Sequence, residues 1–511
     1  MARARWQAGI VVLRLSAAVV GLLALVPLGF VVAYTISTGW GEVERLVFRP
    51  RTVELLWNTI RLVGGSVLLC AMIGVGAAWL VERTTLPGRK VWHVLLVAPL
   101  AVPAFVNSYG WVSVLPEASG YLGALLIVTL SYFPLVYLPV VAAFRGLDPA
   151  LEESARTLGL GPAATFWRIV LPQLRPALLG GCLLVALHLL AEFGALQMLR
   201  FPTFTTAIYD QFQSSYNGPA ANMLAGVLVL LCLLLLLGEL RLRGRARHAR
   251  VGAGSARRVT PTSLRGGTAP VLLALAVLVG LALGVPVGSL VFWLVTGAST
   301  GVPVSDLSSA AAASLGLGAV AGVVTVVVAI PVAWLAVRHR GWWVTLVERC
   351  TYFGSTLPGI VVALALVTVS IRMAPAIYQT TALLIVAYTI LFLPRAVVNV
   401  RSALAQAPPE LEDVAHGLGL SRLATLRRVT LPLIAPGLGA GAALVFIAAA
   451  TELTATLLLS PIGTRTLATE FWSYSSSVEY GAAAPYAAVM VMLSVPATYL
   501  LTRDPRRATE G

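Results

Sequence analysis

The stretch DPALEESARTLGL, residues 148–160, decides the fold of this chain. It is polar, whereas the 511-residue chain around it is 58% apolar and only 11% charged. A related stretch, PPELEDVAHGLGL, follows at residues 408–420. Residues 149–176 and residues 409–436, compared at an offset of 260, share 13 identities in 28 positions. A repeat of this kind indicates that one structural unit is present twice.

Long apolar segments surround both polar stretches. A helix needs about 20 residues to cross a hydrocarbon core of ~30 Å, and the chain has twelve apolar segments of suitable length. They are residues 9–36, 57–81, 91–113, 121–144, 177–198, 222–240, 270–296, 310–336, 345–370, 379–398, 437–459 and 482–502. Because an ordinary soluble domain does not have this composition, the sequence predicts an all-α polytopic membrane protein with twelve transmembrane helices.

An Arg-, Gly- and Ser-rich segment without apolar periodicity, residues 241–269, is typical of a linker. It separates residues 1–240 from residues 270–511, and each half contains six predicted spans. Because an even number of spans lies between the two polar stretches, both halves should have the same topology, as in a parallel repeat. The echo of AVPAFV at 101–106 by TLPGIV at 356–361 agrees with this duplication.

The basic residues orient the chain in the membrane. The net charge is +15, and 29 of the 36 Lys and Arg residues lie at the termini or in the even-numbered connections, which leaves seven elsewhere. The positive-inside rule therefore predicts that both termini and the linker are cytoplasmic. The charge needs no nucleic acid partner, since the membrane itself accounts for its distribution. The localisation expected is multi-pass, in the inner membrane.

The cysteines indicate neither a disulfide framework nor a metal pair. Cys70, Cys182, Cys232 and Cys350 occur singly, in or beside apolar segments. The sequence assigns no resident metal site.

Each polar stretch is predicted to form two short helices joined by a bend. In the first, Asp148 is a suitable N-cap, Pro149 a suitable first helical residue and Gly159 a stop. Pro409 and Gly419 play the same parts in the second. Pro162 and Ser421 begin the following helices, and an apolar stripe is formed by Leu151, Ala155, Leu158, Leu411, Ala415 and Leu418. An alternative interpretation, amphipathic connectors lying on the bilayer, predicts no particular residue spacing.

The spacing of the first copy resembles the EAA loop of permeases from binding-protein-dependent ABC importers. The matching residues are Glu153-Ser154-Ala155, then Gly159, then Ile169-Val170-Leu171-Pro172. The second copy departs slightly, with Asp413-Val414-Ala415, but keeps the acid, the alanine, the glycine and Leu-Pro. In that family the short helix is the coupling helix, which docks on a cytoplasmic ATPase. The resemblance implies these coupling residues: Glu152, Glu153, Ala155, Gly159, Leu171 and Pro172 in the loop 148–172, and Glu412, Asp413, Ala415, Gly419, Leu431 and Pro432 in the loop 408–432.

The motor is expected on a separate chain. A P-loop needs the pattern G-x-x-x-x-G-K-[ST], and the only lysine, Lys90 in TTLPGRKVW, does not fit it. We therefore expect a non-enzymatic subunit that binds no cofactor and depends on ATP used by a partner. The resemblance implies two copies of a cytoplasmic ABC ATPase, one for each loop, and an extracytoplasmic substrate-binding protein.

The fused arrangement of two such loops in one chain resembles the ferric-iron type of importer permease. Ferric iron is therefore the expected substrate. A thiamine, polyamine or phosphonate permease is the alternative within the class. A proton-coupled secondary transporter can also have parallel halves, but it does not need two matched cytoplasmic loops.

Two acidic residues are candidates for the transport pathway. Glu192 and Glu452 occupy matched positions and are predicted ~22 Å inside their helices, toward the outer end. Ionisable residues within spans usually face a cavity or a partner, and ferric iron, a hard ion, favours carboxylate oxygens. His188 lies one turn before Glu192. The alternative is structural, with the two glutamates holding helix ends together or capping the outer loops.

Overall fold

A computed structural model of the chain describes residues 2–147, 149–243, 261–264, 267–297, 303–339, 341–354 and 356–502. The predicted N-cap Asp148 and most of the predicted linker 241–269 lie outside the described residues.

The described residues are almost entirely helical, and they include one isolated β-bridge, between Thr84 and Thr262. The helices of the first sequence half are α1 Ala2–Thr38, α2 Trp40–Val47, α3 Pro50–Arg83, α4 Arg89–Val97, α5 Ala104–Val114, α6 Gly120–Tyr132, α7 Pro134–Gly146, α8 Pro149–Thr157, α9 Pro162–Thr165, α10 Leu171–Ala191, α11 Gly194–Met198, α12 Phe204–Tyr209 and α13 Gly218–Arg243.

The second half repeats much of this series. Its helices are α14 Thr268–Val279, α15 Val285–Thr296, α16 Val304–Arg338, α17 Trp342–Phe353, α18 Gly359–Met373, α19 Thr381–Gln406, α20 Pro409–Gly417, α21 Arg422–Thr425, α22 Leu431–Ala450, α23 Thr454–Leu459, α24 Leu467–Ser476 and α25 Tyr480–Thr502.

The all-α membrane architecture predicted from the sequence is confirmed, with fewer continuous spans than expected. Among the described residues ten helices are long and apolar enough to cross a membrane, or eleven if one bent helix pair counts as a span. Among the described residues, ten of the twelve predicted segments are therefore continuous helices, and the other two are interrupted. The differences fall at residues 91–113, where the chain is bent, and at residues 345–370, where α17 and α18 replace one long helix.

Both differences have the same physical cause. Arg89–Ala101 and Ala104–Val114 meet at 90°, and Pro103 is the extended N-cap of α5. In the other half Pro358 is the extended N-cap of α18. A proline holds the preceding residue away from helical geometry and cannot donate the backbone hydrogen bond that would continue the helix. The repeated motif around these prolines therefore interrupts a helix in each half.

The helices form two compact units, which combine segments from both sequence halves. Unit A contains Phe48–Ala207, Leu230–Thr300 and Val491–Gly511, and unit B contains Met1–Val47, Ile208–Val229 and Gly301–Met490. The core of unit A is built on α3, α7 and α10, and the core of unit B on α16, α19 and α22. The sequence halves and the compact units thus have different boundaries.

Small residues allow the core helices to approach closely. In unit A, a Cβ added at Gly74 would lie 2.9 Å from the Cβ of Val136. A Cβ added at Gly181 would lie 2.8 Å from the Cα of the same residue. In unit B, a Cβ at Gly322 would lie 2.8 Å from the carbonyl oxygen of Ala442. Close packing at small residues is typical of membrane helices, because the hydrophobic effect does not drive apolar side chains out of lipid and into a protein interface.

The first long helix of each sequence half packs in the unit built mainly from the other half. In unit B, α1 contacts α16, α17 and α18, and the guanidinium of Arg372 lies 5.3 Å from the ring centroid of Tyr34. In unit A, α15 packs against α5, so closely that a Cβ at Gly110 would lie 2.6 Å from the Cα of Pro286.

Candidate functional site

The first polar loop has the predicted helix–stop–helix form. Helix α8 is followed by Gly159 at a φ of +84°, and the N–H of Leu160 donates to the carbonyl of Ala155 at 3.0 Å. Helix α9 then begins at Pro162. The left-handed conformation at Gly159 is the one that favours glycine at the end of a helix. The predicted stop is confirmed.

The second polar loop has the same geometry. Gly419 has a φ of +82°, and the N–H of Leu420 donates to the carbonyl of Ala415 at 3.0 Å. Ser421 caps the next helix, because its hydroxyl accepts from the N–H of Ala424 at 3.4 Å. The two copies of the repeat thus have the same local structure.

A π-helical turn, which the sequence analysis missed, leads each loop back into its long helix. The turns are Phe166–Val170 and Leu426–Thr430. The N–H of Leu171 donates to the carbonyl of Phe166, and that of Leu431 to the carbonyl of Leu426. Pro172 and Pro432 follow directly and have no N–H of their own. The Leu-Pro pairs therefore mark where each loop becomes a membrane helix.

The acidic pairs of the two loops divide into an inward and an outward member. Glu152 is buried and forms an ion pair with Arg83, and Glu412 is partly buried and forms one with Arg338. Glu153 and Asp413 are exposed. One acid of each pair therefore fixes the short helix to its own chain, and the other lies on the surface.

The predicted apolar stripe is not a single buried face. Ala155 and Ala415 are each only 4% exposed. Leu158 is 84% exposed and Leu418 79% exposed, because α8 and α20 end before them. Leu151 and Leu411 are also exposed. Each loop therefore has exposed leucine side chains, and a buried alanine packs its short helix against the rest of the unit.

Glu192 and Glu452 do not lie inside their helices, and this part of the sequence analysis was wrong. Helix α10 ends at Ala191 and α22 at Ala450, so both glutamates follow the last helical turn. A carboxylate oxygen of Glu192 accepts from the N–H of Ala195 at 2.9 Å, and one of Glu452 from the N–H of Ala455 at 2.8 Å. Each carboxylate caps the short helix that follows, as the structural alternative expects.

Different side chains surround the two glutamates. In unit A the hydroxyl of Tyr132 donates to Glu192, and the ring of His188 lies 5.7 Å from that of Tyr132. Tyr132 thus connects His188 with Glu192, although His188 itself contacts the carbonyl of Leu184. In unit B, a carboxylate oxygen of Glu452 lies beside Gly359, where an added Cβ would be 3.1 Å from it. The matched glutamates therefore lie in unlike surroundings.

Within the part of the chain that the structure describes, no three or more His, Cys, Asp or Glu side chains come together as a metal site. The four cysteines are free thiols.

These features define a polytopic helical membrane protein with a duplicated core and two matched polar loops. The family model described as "Binding-protein-dependent transport system inner membrane component" matches the chain twice, at residues 70–243 and 325–508. The chain belongs to this family.

Curated relatives extend the comparison over nearly the whole chain. It is 37% identical to the Fe(3+)-transport system permease protein FbpB 2 of Haemophilus influenzae, over 95% of this chain and 96% of the relative. The ferric transport system permease protein FbpB of Actinobacillus pleuropneumoniae is 22% identical over 88% of this chain and 71% of its own length. The sulfate transport system permease protein CysT of Salmonella typhimurium is 28% identical over 45% of this chain and 91% of its own.

Proposed function

We propose that this chain is the translocation subunit of an ATP-driven importer of ferric iron that an extracytoplasmic binding protein delivers. The observation that carries this proposal is similarity to an Fe(3+)-transport permease along 95% of the chain, with both polar loops included. The sulfate and polyamine relatives match 45% and 37% of the chain. The higher identity to the Fe(3+)-transport permease, 37% against 28% and 27% for these two, favours iron over the alternatives.

The polar loops are the proposed docking sites for two copies of a cytoplasmic ABC ATPase. Glu153 and Asp413 supply surface charge, and Leu158 and Leu418 supply apolar area that water does not favour. The ATPase hydrolyses ATP, and this chain binds neither ATP nor another cofactor. Nucleotide binding by the partners then shifts the membrane helices between two conformations through contacts at the loops.

The loops, the linker and both termini are placed on the cytoplasmic side in this proposal. The distribution of basic residues supports this orientation, because 29 of the 36 Lys and Arg residues lie at the termini or in the even-numbered connections. The binding protein then docks on the opposite face.

The proposed pathway is lined by Glu192, Glu452 and His188. The carboxylates attract a multivalent cation while they cap their short helices. The two roles are compatible, because a carboxylate has more acceptor positions than one backbone N–H occupies.

Reconstitution tests the function directly. The permease, its partner ATPase and its binding protein are assembled in lipid vesicles, and uptake of radioactive iron is measured with and without ATP. We expect uptake that needs all three proteins and ATP. Uptake of sulfate or spermidine in place of iron would overturn the substrate, and uptake driven by a proton gradient without ATP would overturn the class.

A further inference from the structure

The short helix of unit A is held by a buried ion pair. Arg83, the last residue of α3, places Nη2 2.8 Å from Oε1 of Glu152 on α8. Their side chains are only 7% and 11% exposed. The guanidinium carbon of Arg83 also lies 5.3 Å from the ring centroid of Phe144. The end of a long membrane helix is thus fixed to the polar loop.

Unit B contains the equivalent pair. Arg338, the last residue of α16, donates from Nη2 to Oε1 of Glu412 at 3.0 Å and to the carbonyl of Ala407 at 3.0 Å. The same oxygen of Glu412 accepts from the hydroxyl of Thr430 at 3.2 Å. The short helix α20 is therefore joined both to α16 and to the turn that leads into α22.

The sequence shows that the two arginines correspond. Arg83 ends the segment WLVER at 79–83, and Arg338 ends WLAVR at 334–338. Each pair thus joins the arginine that ends this segment to the acid at the matched position of its loop, Glu152 or Glu412.

Unit A has a second ion pair, between Arg145 and Glu82, beside the Arg83–Glu152 pair. Arg145, near the end of α7, donates from Nε to Oε1 of Glu82 at 2.9 Å, and its Nη2 lies 2.8 Å from the same oxygen. Val337 stands beside Arg338 where Glu82 stands beside Arg83. In unit B the contact of Arg338 with the carbonyl of Ala407 replaces the second ion pair. In unit A the ends of α3 and α7 are thus joined to each other, and in unit B Arg338 joins the end of α16 to the residue that follows α19.

Stability alone is a weak reason for this arrangement. Removing two charges from water costs as much as or more than their mutual attraction returns, so apolar residues of similar volume often serve stability as well. A buried pair does fix one geometry, because either partner left alone is strongly unfavourable. Both copies of the repeat keep this geometry.

We infer that the Arg83–Glu152 and Arg338–Glu412 pairs are the links that transmit loop movement to α3 and α16. The inference rests on the proposed function, in which an ATPase docks on the loops. A short helix fixed to the end of a long helix moves with it, whereas an unattached one absorbs the movement. Arg83, Glu152, Arg338 and Glu412 are thus positioning residues, and the ATPase surface contacts other side chains.

The test measures iron imported per ATP hydrolysed in vesicles that contain permease, ATPase and loaded binding protein. In Arg338→Gln we expect this ratio to fall at least about fivefold, the lower end of usual coupling between sites, while the ATPase still co-purifies. Arg338→Lys keeps the charge and should retain most of the ratio. Arg83→Gln and Arg83→Lys repeat the comparison in unit A. Glu54→Gln is the matched control, because it removes an exposed pair with Arg51 at the other end of α3.

Each outcome decides between the two proposals. If the unaltered permease does not retain the ATPase, the proposed function fails and the role of the pairs fails with it. If the ATPase is retained and the Gln variants keep the parental ratio, only the role of the pairs is overturned. Gln variants of both arginines that fail to insert into membranes would make the pairs folding determinants, which also overturns the inference.

Discussion

The carboxylate of Glu192 accepts a hydrogen bond from the backbone N–H of Ala195, three residues further along the chain, at 2.9 Å. Glu452 and Ala455 repeat this relationship at 2.8 Å. In both places the acid occupies the N-terminus of a short helix, where negative charge is favoured. The backbone carbonyl of each glutamate also accepts from a threonine hydroxyl, Thr205 or Thr456, at 2.6 Å. Both glutamates therefore have a structural function to which any role in transport is added.

Replacing both glutamates with glutamine separates the two functions. Glutamine keeps an oxygen that can accept from the N–H of Ala195 or Ala455 but carries no charge. We expect normal membrane insertion and iron uptake lower by about tenfold, equivalent to ~1.4 kcal/mol of lost stabilisation along the pathway. The measurements are uptake per inserted chain and stimulation of ATP hydrolysis by loaded binding protein.

Glu479→Gln, at an exposed position before α25, is the control for loss of one acid. Parental uptake by the normally inserted double variant would show that the carboxylates serve only as helix caps.

Gly159 and Gly419 should not tolerate β-branched residues. Both have left-handed φ angles, +84° and +82°, with no atoms within 4 Å of an added Cβ, so any cost comes from the backbone. Valine in this conformation costs roughly 1–2 kcal/mol per residue, whereas asparagine adopts it more readily. We expect the double valine variant to hydrolyse ATP without proportional iron uptake, and the double asparagine variant to remain coupled.

A neighbouring glycine provides the control. Gly161 has an ordinary φ of −65° and equally open surroundings. Gly161→Val should therefore leave the ratio of iron to ATP unchanged. Coupled transport by the double valine variant at Gly159 and Gly419 would contradict a coupling function for the loop geometry.

The two polar loops could be predicted from the sequence because their signals are local. A proline at the first turn and a glycine at the stop each act within one helical turn, and both loops carry them. The partners of Glu152 and Glu412 could not be found in this way, since Arg83 and Arg338 are distant in sequence. Comparison of WLVER with WLAVR at the offset of 255 was the available signal.

The helix ends before Glu192 and Glu452 and the interruptions in two of the predicted spans were missed for a related reason. Hydropathy averages over a window, so a proline such as Pro103 or Pro358 barely changes it even where the helix breaks. The depth of Glu192 was likewise calculated along a straight helix, which ends one residue before it. The packing of α1 in unit B had no sequence signal, since a lipid-facing and a protein-facing apolar surface look alike.

The orientation of the chain can be tested by cysteine labelling in intact cells. Glu410 on α20 and Glu479 before α25 are both exposed, and the proposed topology places them on opposite sides of the membrane. With the native cysteines replaced, we expect an impermeant external thiol reagent to label Glu479→Cys but label Glu410→Cys only after the cells are opened. The reverse pattern would invert the assignment of the loops and of the ATPase.

The crossing of α5 and α15 should depend on the absence of a side chain at Gly110. An added Cβ would lie 2.6 Å from the Cα and 3.0 Å from the Cβ of Pro286, so the backbone of one helix must move to admit it. Overpacking of this kind typically costs about 1–3 kcal/mol. We therefore expect Gly110→Ala to lower the unfolding temperature of the detergent-solubilised permease. Gly288→Ala, on α15 in open surroundings, is the control and should leave that temperature nearly unchanged. Equal unfolding temperatures for Gly110→Ala and the parent would show that α5 and α15 do not pack this closely in the membrane protein.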